Sequence, residues 1–391
     1  PQTPNPKPQT PNPKPLGRLD WADRYKHMNS LKKDEMILYI GINQNRSLIS
    51  VGTEKGFRVF CANTLKEVGG REMGGGIGIV EILHSSNIIA MTGGGRYPLY
   101  SLKKLIIWDD DECKRKAELV MKSEIKAVKI KLDYVIIALD FNVYVYSLID
   151  DLNYVYSTQT LMNPKGVLAV NPNEIRTILC CPAQMNNEKC LGYVQIVDLG
   201  NIQKPEGVLK VKAHENSLNI IELNNDGTIL ATSSERGTLI RLFDTKTGTI
   251  IQELRRGSDK VNIFSLSFSF NDNWLSCIGD SGTLHIFSVN AGKKDSAPQA
   301  KKNPKNAITK NNKSMFGKLG LGLLFNYFDS ELNFAHYKNN YDSQTKAIFL
   351  DNDDMVLLIS YKGDCCKLWF DHEYGGECTK KLSSNLLTQK D

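Results

Sequence analysis

The sequence predicts an all-β, seven-bladed β-propeller of the WD-repeat type, and three observations carry that prediction. A hairpin pattern returns along the chain: "LISVGTEKGFRVF" (48–60), "LATSSERGTLIRLF" (230–243), "LSCIGDSGTLHIF" (275–287) and "LLISYKGDCCKLWF" (357–370) each place a polar turn with glycine between two β-rich runs. The returns are evenly spaced. Gly237 to Gly282 is 45 residues, and Gly56 to Gly237 is 181, about four such units. A period near 45 with about four strands per unit is the mark of propeller blades. Finally, 41% hydrophobic and 24% charged residues support a packed core. A single sheet with two apolar faces cannot bury both, whereas blades stacked in a ring can.

The elements follow in order. Residues 1–20 are proline-rich, with "QTPNPKP" at 2–8 repeated at 9–15, and predict a disordered tail or an appended segment. The propeller is expected over 35–380. Gly56 marks the first unit. "KLIIWDD" (104–110), "NVYVYSL" (142–148) and "GYVQIVDL" (192–199) supply the matching strand of the next three, and Gly237, Gly282 and Gly363 mark the remainder. The Trp-Asp dipeptide occurs as Trp108-Asp109, with Val197-Asp198 and Phe243-Asp244 as relaxed versions. Gly282 to Gly363 is 81 residues, one unit plus an insertion at 290–335 in blade six. Residues 381–391 read as a polar C-terminal tail.

The charge is local. Residues 291–318 carry eight lysines against the single acid Asp295, a surplus larger than the chain's net +6. A global nucleic-acid surface is therefore not expected, whereas a localised anionic partner is. No run of 18 apolar residues occurs, so no transmembrane helix is expected. Nine cysteines without a secretory leader point to reduced thiols in the cytoplasm. "GGGIG" (74–78) and "GGGR" (93–96) do not continue as a nucleotide loop and read as turns. The cysteine pairs at 180–181 and 365–366 read as core thiols, not metal ligands. No nucleophile–base–acid constellation stands out, so neither an enzyme nor a cofactor is expected.

"LRRG" (254–257) joins the fifth and sixth units. In an extended strand, neighbouring side chains point to opposite faces, so Arg255 and Arg256 are predicted to serve two separate pockets. His214, Ser234, Thr238 and Arg241 lie near the first arginine, and Ser265, Thr283 and His285 near the second. Arginine, hydroxyl and imidazole are the groups that hold a phosphomonoester. If both histidines titrate near 6.5, a bound phosphate should favour their charged form, and affinity should rise as pH falls toward about 6.

With these residues the sequence resembles the PROPPIN (WIPI) family of polyphosphoinositide-binding propellers, which carry a Phe/Leu-Arg-Arg-Gly motif between blades five and six. Other stretches match. Residues 68–110, "VGGREMGGGIGIVEILHSSNIIAMTGGGRYPLYSLKKLIIWDD", look like the family's second blade, "NPKGVLAV" (163–170) and "YVQIVDL" (193–199) like its fourth, and 211–257 like its fifth. The leucine before the arginines resembles the subgroup of the two shorter mammalian members. The resemblance implies phosphoinositide site one at His214, Ser234, Thr238, Arg241 and Arg255, and site two at Arg256, Ser265, Thr283 and His285. It implies binding of phosphatidylinositol 3-phosphate and 3,5-bisphosphate. It further implies a monomer, peripheral on preautophagosomal, endosomal or vacuolar membranes, whose blades 1–3 hold the lipid-transfer protein of autophagy. Asp280 departs from the family's hydroxyl-rich run and is expected to bring negative charge to site two.

The insertion follows its lysines with "SMFGKLGLGLLFNYFDSELNF" (314–334). Lysines draw a protein to an anionic leaflet, and apolar side chains can then enter it. Phe316, Leu319, Leu323, Leu324 and Phe325 are the candidate inserting residues, as the resemblance also implies. A basic solvated loop followed by a core strand is the other reading. For the whole chain the alternative is a protein-scaffolding propeller whose arginines pair with nearby acids.

Overall fold

The computed structural model describes residues 36–388, apart from 150, 186–190, 204–206, 290–330 and 342–343. The expectations for 1–20, for most of the insertion, and for Phe316, Leu319, Leu323, Leu324 and Phe325 lie outside the described residues.

Among the described residues twenty-nine strands form seven sheets, one per blade, antiparallel except for one short parallel pairing in blade six. In blades one to six the first four strands follow chain order, with the first nearest the axis. First strands of neighbouring blades touch, as Ile37–Ile42 touches Ile77–Ile82. Seven apolar clusters among the described residues each join two adjacent blades, including the last to the first. At that last seam no strand is exchanged. Blade one is wholly N-terminal and blade seven wholly C-terminal, so the ring closes through side chains. Ile40, Ile49 and Phe60 pack on Leu357, Ile359 and Leu386, and Lys346 Nζ donates to Ile40 O at 2.5 Å.

The predicted turns hold. Gly237, Gly282 and Gly363 have φ of +64°, +70° and +89°, which an L side chain rarely adopts. At Gly237 a Cβ would also lie 1.9 Å from Val261 O. The aspartates of the Trp-Asp positions tie the next turn: Asp109 accepts from the Asp111 and Glu112 amides, Asp198 from Gly200, and Asp244 from Lys246 and Thr247.

One boundary needs correction. The expected tail at 381–391 begins inside the last strand of blade seven, Thr379–Asn385, and Leu386 is fully buried. A rim strand faces water along most of its length, so "TKKLSSN" reads as tail although it pairs with Asp364–Trp369. Blade six also gains a fifth strand, Gly376–Glu377, parallel to Ala335–Lys338.

The axis is lined by charge. Glu81 accepts Lys129 Nζ at 2.8 Å and the Tyr39 hydroxyl. Glu222 lies nearby without a hydrogen-bonded cation; burial pushes its carboxyl up to about 7, against the pull of Lys129, Arg46 and Lys346. Burial lowers the Lys346 ammonium to about 8. A carboxyl raised on folding leaves stability intact below its unfolded pKa near 4.3 and removes it as pH rises through about 7. Glu222→Gln should therefore stabilise the fold at pH 8, by about 1–3 kcal/mol, and leave it nearly unchanged at about pH 4. Thermal melts at the two pH values check this, and equal effects at both would contradict it.

Candidate anion-binding site on blades five and six

The rim of blade five is built by its third strand, Leu239–Asp244, and its fourth, Ile250–Arg255. Leu254 is fully buried in the cluster shared with blade six. Its neighbours alternate about it. Glu253 and Arg255 stand opposite Arg241 and Leu239 and project from the other face, toward blade four. Arg256, two residues beyond Leu254, returns to the blade-six side. The register sets Arg255 on the face of Leu239, while the Arg256 charge acts on His285 of blade six.

In the cleft between blades four and five, Arg241 donates from Nη1 to Ala213 O at 2.7 Å and from Nε to Glu253 Oε2 at 2.9 Å. His214 is buried, with Nε2 3.0 Å from Thr232 Oγ1. Burial, then the Arg241 charge, lowers its imidazole to about 4. Ser234 is buried two residues beyond Thr232 in the same strand. Thr238 lies in the following turn, where its carbonyl accepts the Arg256 amide at 3.0 Å. Glu253 and Thr232 were missed from sequence, because the register across the hairpin decides which side chains meet.

In the cleft between blades five and six, Arg256 Nε donates to Gly237 O at 2.9 Å, and its Nη2 to Asp259 O. Both partners are carbonyls, so its charge is held in place without being neutralised. Thr283 and His285 lie on the third strand of blade six, Thr283–Ser288, whose Phe287 packs in the blade five–six cluster; by alternation all three share that face. Among the described residues, His285 Nδ1 is buried with no hydrogen-bond partner, and so is Ser281 Oγ in the preceding turn. Burial, then Arg256 and His336, lowers the His285 imidazole to about 4. The expectation that both histidines titrate near 6.5 is thus corrected.

Ser265 does not join this group. It lies on the innermost strand of blade six, Ile263–Phe268, and donates to Ala347 O of blade seven at 2.9 Å. Its strand partner Ile278 sits in the blade six–seven cluster, so it faces away from Arg256. Asp280 accepts the Asn262 amide at 3.2 Å and lines a cavity of about 470 Å³ with Lys165, Lys260, Glu235 and Asn262. Its carboxylate is engaged there, and it is not among the charges that act on His285.

The insertion leaves after the third strand of blade six and returns at Glu331, alongside the arginine pair. Glu331 N–H donates to Glu253 O at 3.0 Å, and its carbonyl accepts the Arg255 N–H at 2.7 Å. Gln252 Nε2 reaches Glu331 Oε2 at 2.8 Å. Phe334 then packs on Trp274, ring centroids 4.8 Å apart, and its carbonyl accepts the Gly376 amide at 3.0 Å.

The discounted signals stay unremarkable. Gly93 sits where a Cβ would meet Tyr100 O at 1.7 Å, a close approach of two backbones. Cys180, Cys181, Cys365 and Cys366 are buried, and burial pushes the Cys181 thiol up to about 12. Among the described residues no group of three or more His, Cys, Asp or Glu could hold a metal, and no helix is long and apolar enough to cross a membrane.

The family model described as PROPPIN matches residues 37–386. Autophagy-related protein 18e of Arabidopsis thaliana is 32% identical over 351 residues, covering 88% of this chain and 87% of that protein. Among solved structures, Kluyveromyces lactis Hsv2 with its complete loop 6CD aligns with a TM-score of 0.69 at 21% identity, over 90% of this chain and 99% of that one. A complex of KlAtg21 with the coiled-coil of AgAtg16 aligns with a TM-score of 0.68 at 19% identity, over the same shares. The chain belongs to the PROPPIN family, phosphoinositide-binding, autophagy-related propellers that are not enzymes.

Proposed function

We propose that the chain binds phosphatidylinositol 3-phosphate and 3,5-bisphosphate through two pockets. Arg255 serves the cleft between blades four and five with His214, Ser234, Thr238 and Arg241. Arg256 serves the cleft between blades five and six with Thr283 and His285. The reading is supported by the register that sets Arg255 opposite Leu239 and by the Arg256 guanidinium, whose hydrogen bonds among the described residues go to carbonyls. A guanidinium fixed in this way keeps donors and full charge for a phosphate.

The propeller then meets the membrane by its rim, where the insertion returns beside Arg255, and Phe316, Leu319, Leu323, Leu324 and Phe325 anchor it. The membranes are preautophagosomal, endosomal or vacuolar, reached from the cytoplasm by a monomer. The lipid-transfer protein of autophagy docks on blades 1–3. A structural neighbour solved with the coiled-coil of AgAtg16 is in keeping with a protein partner on this fold. The Arg241–Glu253 pair is what a scaffolding propeller without lipid binding would also contain, so the assay must separate the two.

Liposome flotation does so. The parent chain floats with vesicles containing phosphatidylinositol 3-phosphate and not with neutral ones. Arg255→Thr/Arg256→Thr, still folded, loses flotation, since each charged hydrogen bond is worth about 1.5–3 kcal/mol. Leu323→Ser/Leu324→Ser/Phe325→Ser keeps binding to a soluble headgroup but leaves vesicles more than about tenfold faster, because burying one such side chain is worth about 1.5–3 kcal/mol. Flotation by the folded arginine variant contradicts the pockets, and an unchanged off-rate contradicts the anchor.

The histidines set the pH dependence. With free imidazoles held at about 4, neither His214 nor His285 gains a proton between pH 7.5 and 6.5 in the unbound protein. A phosphomonoester loses its second charge near pH 6. Affinity for a soluble headgroup should stay level from about 7.5 to 6.5 and fall below about 6. Calorimetry across that range checks this, and a several-fold rise toward pH 6 would restore the histidines as cations.

A further inference from the structure

The cleft between blades five and six has a second wall. The fourth strand of blade six, Ala335–Lys338, runs antiparallel to the third, with Lys338 opposite Thr283 and His336 opposite His285. Directly opposed residues of an antiparallel pair project from the same face. Lys338 and His336 therefore share the face of Thr283 and His285, the one turned to Arg256. In keeping with that shared face, the His336 charge helps to hold the His285 imidazole down.

Lys338 is exposed, and its Nζ donates to Ser281 O at 2.8 Å. Among the described residues it forms no ion pair. That one bond tethers the ammonium at the turn whose Ser281 hydroxyl is buried with no hydrogen-bond partner among the described residues, at the end of the strand that carries Thr283 and His285. Two of its three N–H donors remain for a ligand. The neighbouring cleft differs, because there Arg241 is already bound to Glu253 at 2.9 Å.

We propose that Lys338 is a further ligand of the phosphate held between Arg256 and His285, and that it tilts this cleft toward an inositol ring with two phosphates over a ring with one. The proposal rests on the headgroup reading above. Arg256 and Lys338 approach from facing walls, one on blade five and one on the rim strand of blade six. The outer wall offers a cation to a second phosphate on the same ring, and the strand register puts Lys338 there.

The test uses an Arg255→Thr background, in which the blade five–six cleft reads alone. Calorimetry is run with dibutanoyl phosphatidylinositol 3-phosphate, dibutanoyl phosphatidylinositol 3,5-bisphosphate and inorganic phosphate. Lys338→Gln should weaken the bisphosphate about tenfold, as loss of one charged hydrogen bond does, and the monophosphate less. It should also flatten the salt dependence of binding, which a merely structural role would not move. Lys338→Arg should retain both, and melting temperature should not change in either variant. If inorganic phosphate binds as tightly as the headgroups and weakens with them, Lys338 is a ligand and free phosphate is its source. Undiminished bisphosphate binding by Lys338→Gln overturns this inference alone. Absence of binding by the parent chain to every probe overturns the headgroup reading and this inference with it.

Discussion

Leu254 is wedged between blades five and six, and its packing fixes the direction of every side chain on the rim beside it. A strand cannot turn one residue without turning its neighbours, because a slip by one position sends each side chain to the opposite face. With Leu254 held in the seam, Glu253 and Arg255 are committed to the blade-four side and Arg256 to the blade-six side. Full burial of a leucine is worth about 1.5–3 kcal/mol, and a slip would also place the Arg255 guanidinium and the Glu253 carboxylate against apolar surface. The Glu331 backbone adds a parallel bridge at the same position, bonded on one side to Glu253 O and on the other to the Arg255 amide. The insertion thus returns to the chain at the point where the two clefts diverge.

The clefts share a motif but not a charge state. Arg241 spends a donor on Glu253, so the blade four–five cleft carries an acid among its basic groups. The blade five–six cleft has Arg256 on carbonyls and Lys338 on another carbonyl. Its buried His285 is kept neutral by the cost of desolvation and by the cations around it. On the proposed reading an anion there would meet the Arg256 charge and a buried His285 Nδ1 that has no hydrogen-bond partner among the described residues.

Much of this was legible in the sequence, for reasons that differ by residue. The hairpin turns were readable because Gly237, Gly282 and Gly363 hold backbone conformations that other residues resist. The proposed divergence of Arg255 and Arg256 was argued from the two-residue period of a strand. Ser265 was misplaced because it seemed the counterpart of Ser234, yet it sits on the innermost strand of its blade and faces blade seven. The direction of a serine cannot be read without its register. Glu253, Thr232 and Lys338 were missed for the same reason, since each acquires meaning only from the residue opposite it. Asp280 was near in sequence but is bonded to the Asn262 amide. Thr379–Asn385 was read as tail because a rim strand needs few apolar residues.

Binding stoichiometry tests the divergence of the two arginines most directly. Titration calorimetry with dibutanoyl phosphatidylinositol 3-phosphate should give two sites in the parent chain and one in each single variant, Arg255→Thr and Arg256→Thr. One site in the parent, abolished by either substitution, would mean that both arginines serve a single pocket and that the rim strand does not divide them.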